Sequence, residues 1–67
     1  MRYAKLKGKM RELGITQADL AKKLELSEVA LNKKLNGKSQ FKVIESIEIM
    51  KVFDEPLSSI PAYFFEQ

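Results

Sequence analysis

Residues 16–38, TQADLAKKLELSEVALNKKLNGK, constrain the fold most, because two helix-start signals lie close together within them. A helix begins readily where a side-chain oxygen satisfies one of the four orphan N–H groups of its first turn. Thr16 is placed to do this, and Asp19, three residues on, completes a capping box and favours the positive end of the helix dipole. Ile15 and Leu20 occupy the two positions of a hydrophobic staple. Ser27 starts a second helix in the same way, with Leu26 and Leu31 as its staple and Ala30 where an acid would complete the box. An N-cap contributes about 1 kcal/mol, so two in succession break the segment before Ser27 rather than allow one long helix. The spacing predicts helices over residues 17–24 and 28–35. Leu20, Ala21 and Leu24 face inward on the first, Leu31 and Leu35 on the second, and Asn36-Gly37 ends the pair.

The flanking segments are helical by the same reasoning. Tyr3, Leu6, Met10 and Leu13 recur at steps of three and four, which predicts a helix over residues 2–13 closed by Gly14. Gly8 inside it costs about 1 kcal/mol relative to alanine; it either permits close approach to a neighbouring helix or phosphate, or is simply tolerated. A basic amphipathic helix can also lie on a membrane surface, but this stripe is narrow and lacks bulky insertion residues, which favours core packing. From Lys42 to Val52 or Phe53, Val43, Ile47, Met50 and Phe53 recur at helical spacing between Glu45, Glu48 and Lys51. Ile44, Ile49 and Val52 widen that face, as expected of a central helix, although the β-branched content keeps a strand as the alternative. After Asp54-Glu55-Pro56 the pattern shortens: one helical turn over 57–60, an interruption at Pro61, and a second turn over 62–65. Ile60, Tyr63, Phe64 and Phe65 either close the core against the first and fourth helices or form a candidate dimer interface.

Composition narrows the function classes. Sixty-seven residues make one small domain with little core to spare. Without cysteine or histidine there is no disulfide or zinc staple, so helix packing or a partner subunit must supply the stability. The same absence removes thiol nucleophiles and imidazole bases, and no glycine-rich phosphate loop is present. An enzyme is therefore not expected, nor a cofactor, a metal or a small-molecule ligand. RYAKLKGK after Met1 lacks the apolar core of a signal peptide, and nowhere do eighteen apolar residues run together. The expected location is cytoplasmic, with no membrane partner. Charge is divided: residues 1–40 carry ten basic against four acidic side chains, a balance of +6, and residues 41–67 carry two against five, a balance of −3. That asymmetry suggests one nucleic-acid face; the alternative is a solvated basic surface without a partner.

TQADLAKKL, then LS, then a helix ending in LNGK, resembles the Cro/repressor-type helix-turn-helix of temperate phages and bacterial regulators, most densely over residues 15–38. FKVIESIEIMKVF is compatible with that family's flanking helices, and the terminal YFF is similar to the endings of small phage-encoded members. The resemblance implies an all-α, five-helix, lambda-repressor-like DNA-binding domain over residues 1–67, with the helix-turn-helix at its second and third helices. Two residues depart from the pattern. Glu25 stands in the turn where the family usually has glycine. Either a left-handed backbone there costs about 1–2 kcal/mol, or the turn relaxes and re-aims the third helix. Lys34 lies where an apolar side chain is common; its stem can cover the core edge while the ammonium reaches solvent or an acid on the fourth helix.

A short helix set across another is a common device for entering the DNA major groove. With Leu31 and Leu35 inward, Glu28, Val29, Asn32 and Lys33 become the candidate base contacts. Asn32 suits a bidentate pair with adenine, Lys33 guanine O6/N7, Val29 the thymine methyl and Glu28 cytosine N4. Blander roles exist: Glu28 as a first-turn acid, Lys33 on phosphate, Val29 packed on the edge of the second helix. Asn32, a poor helix former on an exposed face, leans toward function. Candidate phosphate contacts are Gln17 at the start of the second helix, Asn36, Lys38, Ser39 and Gln40 after the third, and more weakly Thr16 and Lys9. Asn36 is equally placed to serve only as a helix end. The expectation is a sequence-specific double-stranded DNA-binding transcriptional regulator, repressor-like, in a bacterial or phage-infected cell and associated with the nucleoid. It would pair as a weak homodimer, or as a dimer on DNA, over operator half-sites roughly 34 Å apart. With no second domain for cleavage or ligand sensing, abundance and competition for sites would regulate it. The alternative is a non-DNA interaction module, such as a phage accessory protein that binds another regulator through its aromatic C-terminus.

Overall fold

The computed structural model describes residues 3–65. Five α-helices follow in order, α1 (Ala4–Leu13), α2 (Gln17–Lys23), α3 (Glu28–Leu35), α4 (Val43–Phe53) and α5 (Ile60–Phe64), with a 3₁₀ turn over Leu57–Ser59 before the last. No strand occurs among the described residues, so the β-branched run at 43–52 is helical. None of these helices is long and apolar enough to cross a membrane.

The local start signals operate as the sequence predicts. The Thr16 hydroxyl accepts the Asp19 N–H at 3.0 Å, and the Asp19 carboxylate accepts the Thr16 N–H at 3.1 Å. That backbone N–H, followed by the hydroxyl, holds the Asp19 carboxyl below its ordinary pKa. Ser27 Oγ accepts the Ala30 N–H at 3.1 Å. Element ends differ by single residues: α2 stops at Lys23 with Leu24 as its C-cap, and α4 begins at Val43 with Lys42 as its N-cap. Tyr3 precedes α1 in a left-handed conformation, and the expected start at Arg2 lies outside the described residues. A Cβ on Gly8 would meet nothing within 4 Å, so no neighbouring helix requires a glycine there.

Every helix contributes to one core: Leu6 and Met10 from α1, Leu20 and Ala21 from α2, Leu31 and Leu35 from α3, Ile49, Met50 and Phe53 from α4, and Phe64 from α5. Three expectations are corrected. Val43 does not join this core but stands 77% exposed, with Ile44 beside it also exposed. The buried face of α4 runs instead through Glu45, Ser46, Ile49, Met50 and Phe53, a phase in which Val43 and Ile44 fall on the solvent side of the first turn. Leu13, the last position of the α1 stripe, is likewise exposed where the helix ends. Pro61 does not interrupt the C-terminal helix; it lies in the first turn of α5, where its missing N–H has no intrahelical partner to lose. Tyr3, Phe41 and Phe64 close one end of the core as a mutual edge-on cluster, with centroids 5.2–6.0 Å apart.

One buried polar contact joins α3 to α4. Lys34 Nζ lies 3.0 Å from Glu45 Oε1 and donates to the Gln40 carbonyl, also at 3.0 Å. Glu45 Oε1 accepts the Lys42 N–H at 2.8 Å. Of the two outcomes open for Lys34, the ammonium thus meets an acid on α4. Burial alone would raise the Glu45 pKa, but the Lys42 N–H and the Lys34 ammonium outweigh it and hold the carboxyl below its ordinary value. A lowered folded pKa means this carboxylate stabilises the fold at neutral pH and loses that contribution as acid protonates it. Accordingly, Glu45→Gln should flatten the decline in stability between about pH 5 and about pH 3, measured by urea unfolding across pH. Lys34→Met should cost about 3 kcal/mol at pH 7 by stranding Glu45, read from the same unfolding curves.

The turn between α2 and α3 keeps the left-handed geometry, since Glu25 has φ 59°. It does not relax. Glu25→Gly should therefore raise unfolding free energy by about 1 kcal/mol in chemical denaturation; an unchanged or lower value would show that the strain is offset locally.

Candidate nucleic-acid interface

Burial of Leu31 and Leu35 fixes the rotation of α3 about its own axis and turns Glu28, Val29, Asn32 and Lys33 to solvent. These four line one shallow depression together with Gln17 and Lys38. Five of the six are exposed; Gln17 is partly covered. Glu28 is the one carboxylate lining it, and neither Lys33 nor Lys38 has an ion-pair partner among the described residues.

Asn32 is held from two sides. Asn36 Nδ2 donates to Asn32 Oδ1 at 3.0 Å and to the Asn32 carbonyl at 2.9 Å, while Asn32 Nδ2 donates to Gln17 Oε1 at 3.4 Å. An amide has two N–H donors and two acceptor lone pairs. Asn32 therefore retains one donor and one acceptor on a planar amide. That is the complement of adenine N7 and N6–H. Asn36 thereby does more than end α3, and Gln17 does more than begin α2.

After α3 the chain turns through Gly37, at φ 78°, and the Lys38 and Ser39 N–H groups both return to the Lys33 carbonyl, at 2.8 and 3.3 Å. The loop so formed presents Lys38, Ser39 and Gln40 at the surface, and the Lys34 ammonium anchors it through the Gln40 carbonyl. Thr16 lies at the surface with its hydroxyl engaged in the α2 cap.

Lys9 is set apart from this group. Its ammonium lies 3.4 Å from Glu55 and 3.7 Å from Glu12. Partial desolvation would lower its pKa, but those two carboxylates prevail and raise it. The phase of α1 explains the difference: Lys7 and Arg11, one turn apart, line a hollow with Gln17, and Lys9 points elsewhere. Reading α1 for its apolar stripe alone passed over these two residues, although their i,i+4 spacing was visible.

At the other end, the four aromatic and aliphatic candidates separate. Phe64 is buried in the core, Ile60 and Tyr63 are half-buried, and Phe65 is 76% exposed. Phe64 is thus withdrawn from any surface contact by its packing on Tyr3 and Phe41. Phe65 and Val43 border a groove that also includes Phe41 and Ile60. Among the described residues no group of acidic side chains is arranged to hold a metal ion.

No curated protein sequence matches the chain. A family described as "Protein of unknown function (DUF739)" matches it over residues 1–67, and the chain belongs to that family.

Proposed function

We propose that this protein is a sequence-specific double-stranded DNA-binding regulator of the Cro/repressor helix-turn-helix kind, with α3 entering the major groove of an operator. The observation that carries this reading is the amide chain Asn36–Asn32–Gln17, which holds Asn32 on the exposed face of α3 with one donor and one acceptor free. A planar amide held in that state forms a bidentate pair with adenine while losing little side-chain freedom on binding. Lys33 then reaches guanine, Val29 meets the thymine methyl, and Glu28 accepts from cytosine N4. Lys38, Ser39 and Gln40 grip phosphate after α3, and Thr16 and Gln17 do so at the start of α2; Asn36, whose amide hydrogens go to Asn32, orients that side chain instead. By occupying its site such a protein blocks or redirects polymerase.

The groove at Val43 and Phe65 supports a second copy as partner. A stable dimer buries about 800 Å² per subunit, roughly a fifth of the 4452 Å² that the chain exposes. A patch of a few side chains is smaller than that, so pairing is weak in solution and completed on adjacent half-sites. A different regulator seated on the same groove is the second reading, and the exposure of Phe65 and Val43 is what favours it.

Selection from a genomic fragment library by electrophoretic shift should recover a preferred duplex. On that duplex Asn32→Ala should weaken binding by about tenfold to a hundredfold, the value of one bidentate pair, with binding to random sequence unchanged. Retention of full selectivity by Asn32→Ala and Lys33→Ala would remove α3 as the reading element. In sedimentation runs with and without that duplex, Phe65→Ser with Val43→Ser should leave one-site binding intact and abolish cooperative filling of paired half-sites. Cooperative filling by the double variant would exclude the groove as the pairing surface.

A further inference from the structure

We infer that Lys7 and Arg11 on α1 form a second phosphate-binding edge, which grips the backbone of the same duplex without reading its sequence. This rests on the DNA-binding reading and extends it to a helix outside the recognition pair. Lys7 and Arg11 lie one helical turn apart and line a hollow with Gln17, over Met10, Ile15 and Leu35. Gln17 also lines the depression on α3, so the two hollows adjoin and the cationic surface runs on from one to the other.

Ion pairing leaves these two cations open, and their shared hollow sets them apart from the other unpaired lysines. Lys9, Lys34 and Lys51 each lie within 4 Å of a carboxylate. Lys7 and Arg11 have no such partner among the described residues, and no acidic residue lines their hollow. The nearby acids in sequence are already engaged: Glu12 with Lys9, and Asp19 with the Thr16 N–H. Two uncompensated cations beside a polar amide are complementary to phosphodiester oxygens, and arginine adds a planar fork that suits them. A helix lying in the major groove is flanked by both backbone strands, so a cationic edge continuous with α3 meets phosphates rather than base edges.

Fluorescence anisotropy of the full chain, on the selected duplex and on a random-sequence duplex across a range of salt, tests this. Each phosphate contact that is lost reduces the slope of log K against log salt by about 0.9. Lys7→Gln with Arg11→Gln should flatten that slope by nearly two units on both duplexes alike, with circular dichroism unchanged. The charge-matched pair Lys5→Gln with Lys51→Gln, on exposed residues, should leave the slope close to that of the unmodified protein. A wild-type slope in the Lys7/Arg11 variant, an equal loss in the charge-matched pair, or a loss confined to the selected duplex would each overturn the inference while DNA binding by α3 stands. Absence of salt-dependent binding by the unmodified protein would overturn the DNA reading itself.

Discussion

The contact between Lys34 and Glu45 fastens α3, whose rotation Leu31 and Leu35 set, to the segment that follows it. Removing two charges from water is costly, and their attraction offsets this only when the remaining donors and acceptors are also satisfied. Here they are: Glu45 receives the Lys42 N–H, and Lys34 gives a further hydrogen to the Gln40 carbonyl. The result is a clasp across residues 34–45 that joins the end of α3, the loop behind it and the start of α4. Glu28, Val29, Asn32 and Lys33 project from one side of this clasp, and Lys38, Ser39 and Gln40 from the loop that it closes. An apolar residue at position 34 would strand the Glu45 carboxylate and leave the loop without that anchor.

Strain at Glu25 has a related consequence. A left-handed non-glycine residue between α2 and α3 persists only where its surroundings fix it. Both flanking helices supply that constraint, through Leu20 and Ala21 on one side and Leu31 on the other, all buried in the same core. The hydrogen bond from the Leu26 N–H to the Ala21 carbonyl, at 2.8 Å, closes the turn around it. The angle between α2 and α3 is thus set by packing, and the side chain at position 25 is carried into a backbone conformation it does not favour.

Legibility in the sequence follows the range of the interactions. Capping is local, so Thr16, Asp19 and Ser27 announced the starts of α2 and α3, and α3 has the bounds that its spacing predicts. The inward face of α3 was legible for the same reason, and with it the candidate residues 28, 29, 32 and 33. The phase of α4 was not, because seven apolar residues surround much of that helix and only the positions of Lys34 and the core decide which turn inward. An acid on the fourth helix was one of two outcomes open for Lys34, but its identity as Glu45, and Glu55 as the partner of Lys9, are contacts between distant segments that no local pattern carries. The Asn36–Asn32–Gln17 chain is half local and half distant: the i,i+4 pair was visible in the sequence, and the reach across to α2 was not.

Charge placement completes the picture, since four cations without an ion-pair partner, Lys7, Arg11, Lys33 and Lys38, border the two hollows that meet at Gln17. The most direct test of DNA recognition by this surface is a titration of isotopically labelled protein with duplex DNA, followed amide by amide by NMR. Insertion of α3 predicts that the largest salt-sensitive shifts fall at residues 28–33, 36–40 and 17. Shifts confined to the groove around Val43 and Phe65, or none at all with DNA in excess, would contradict it.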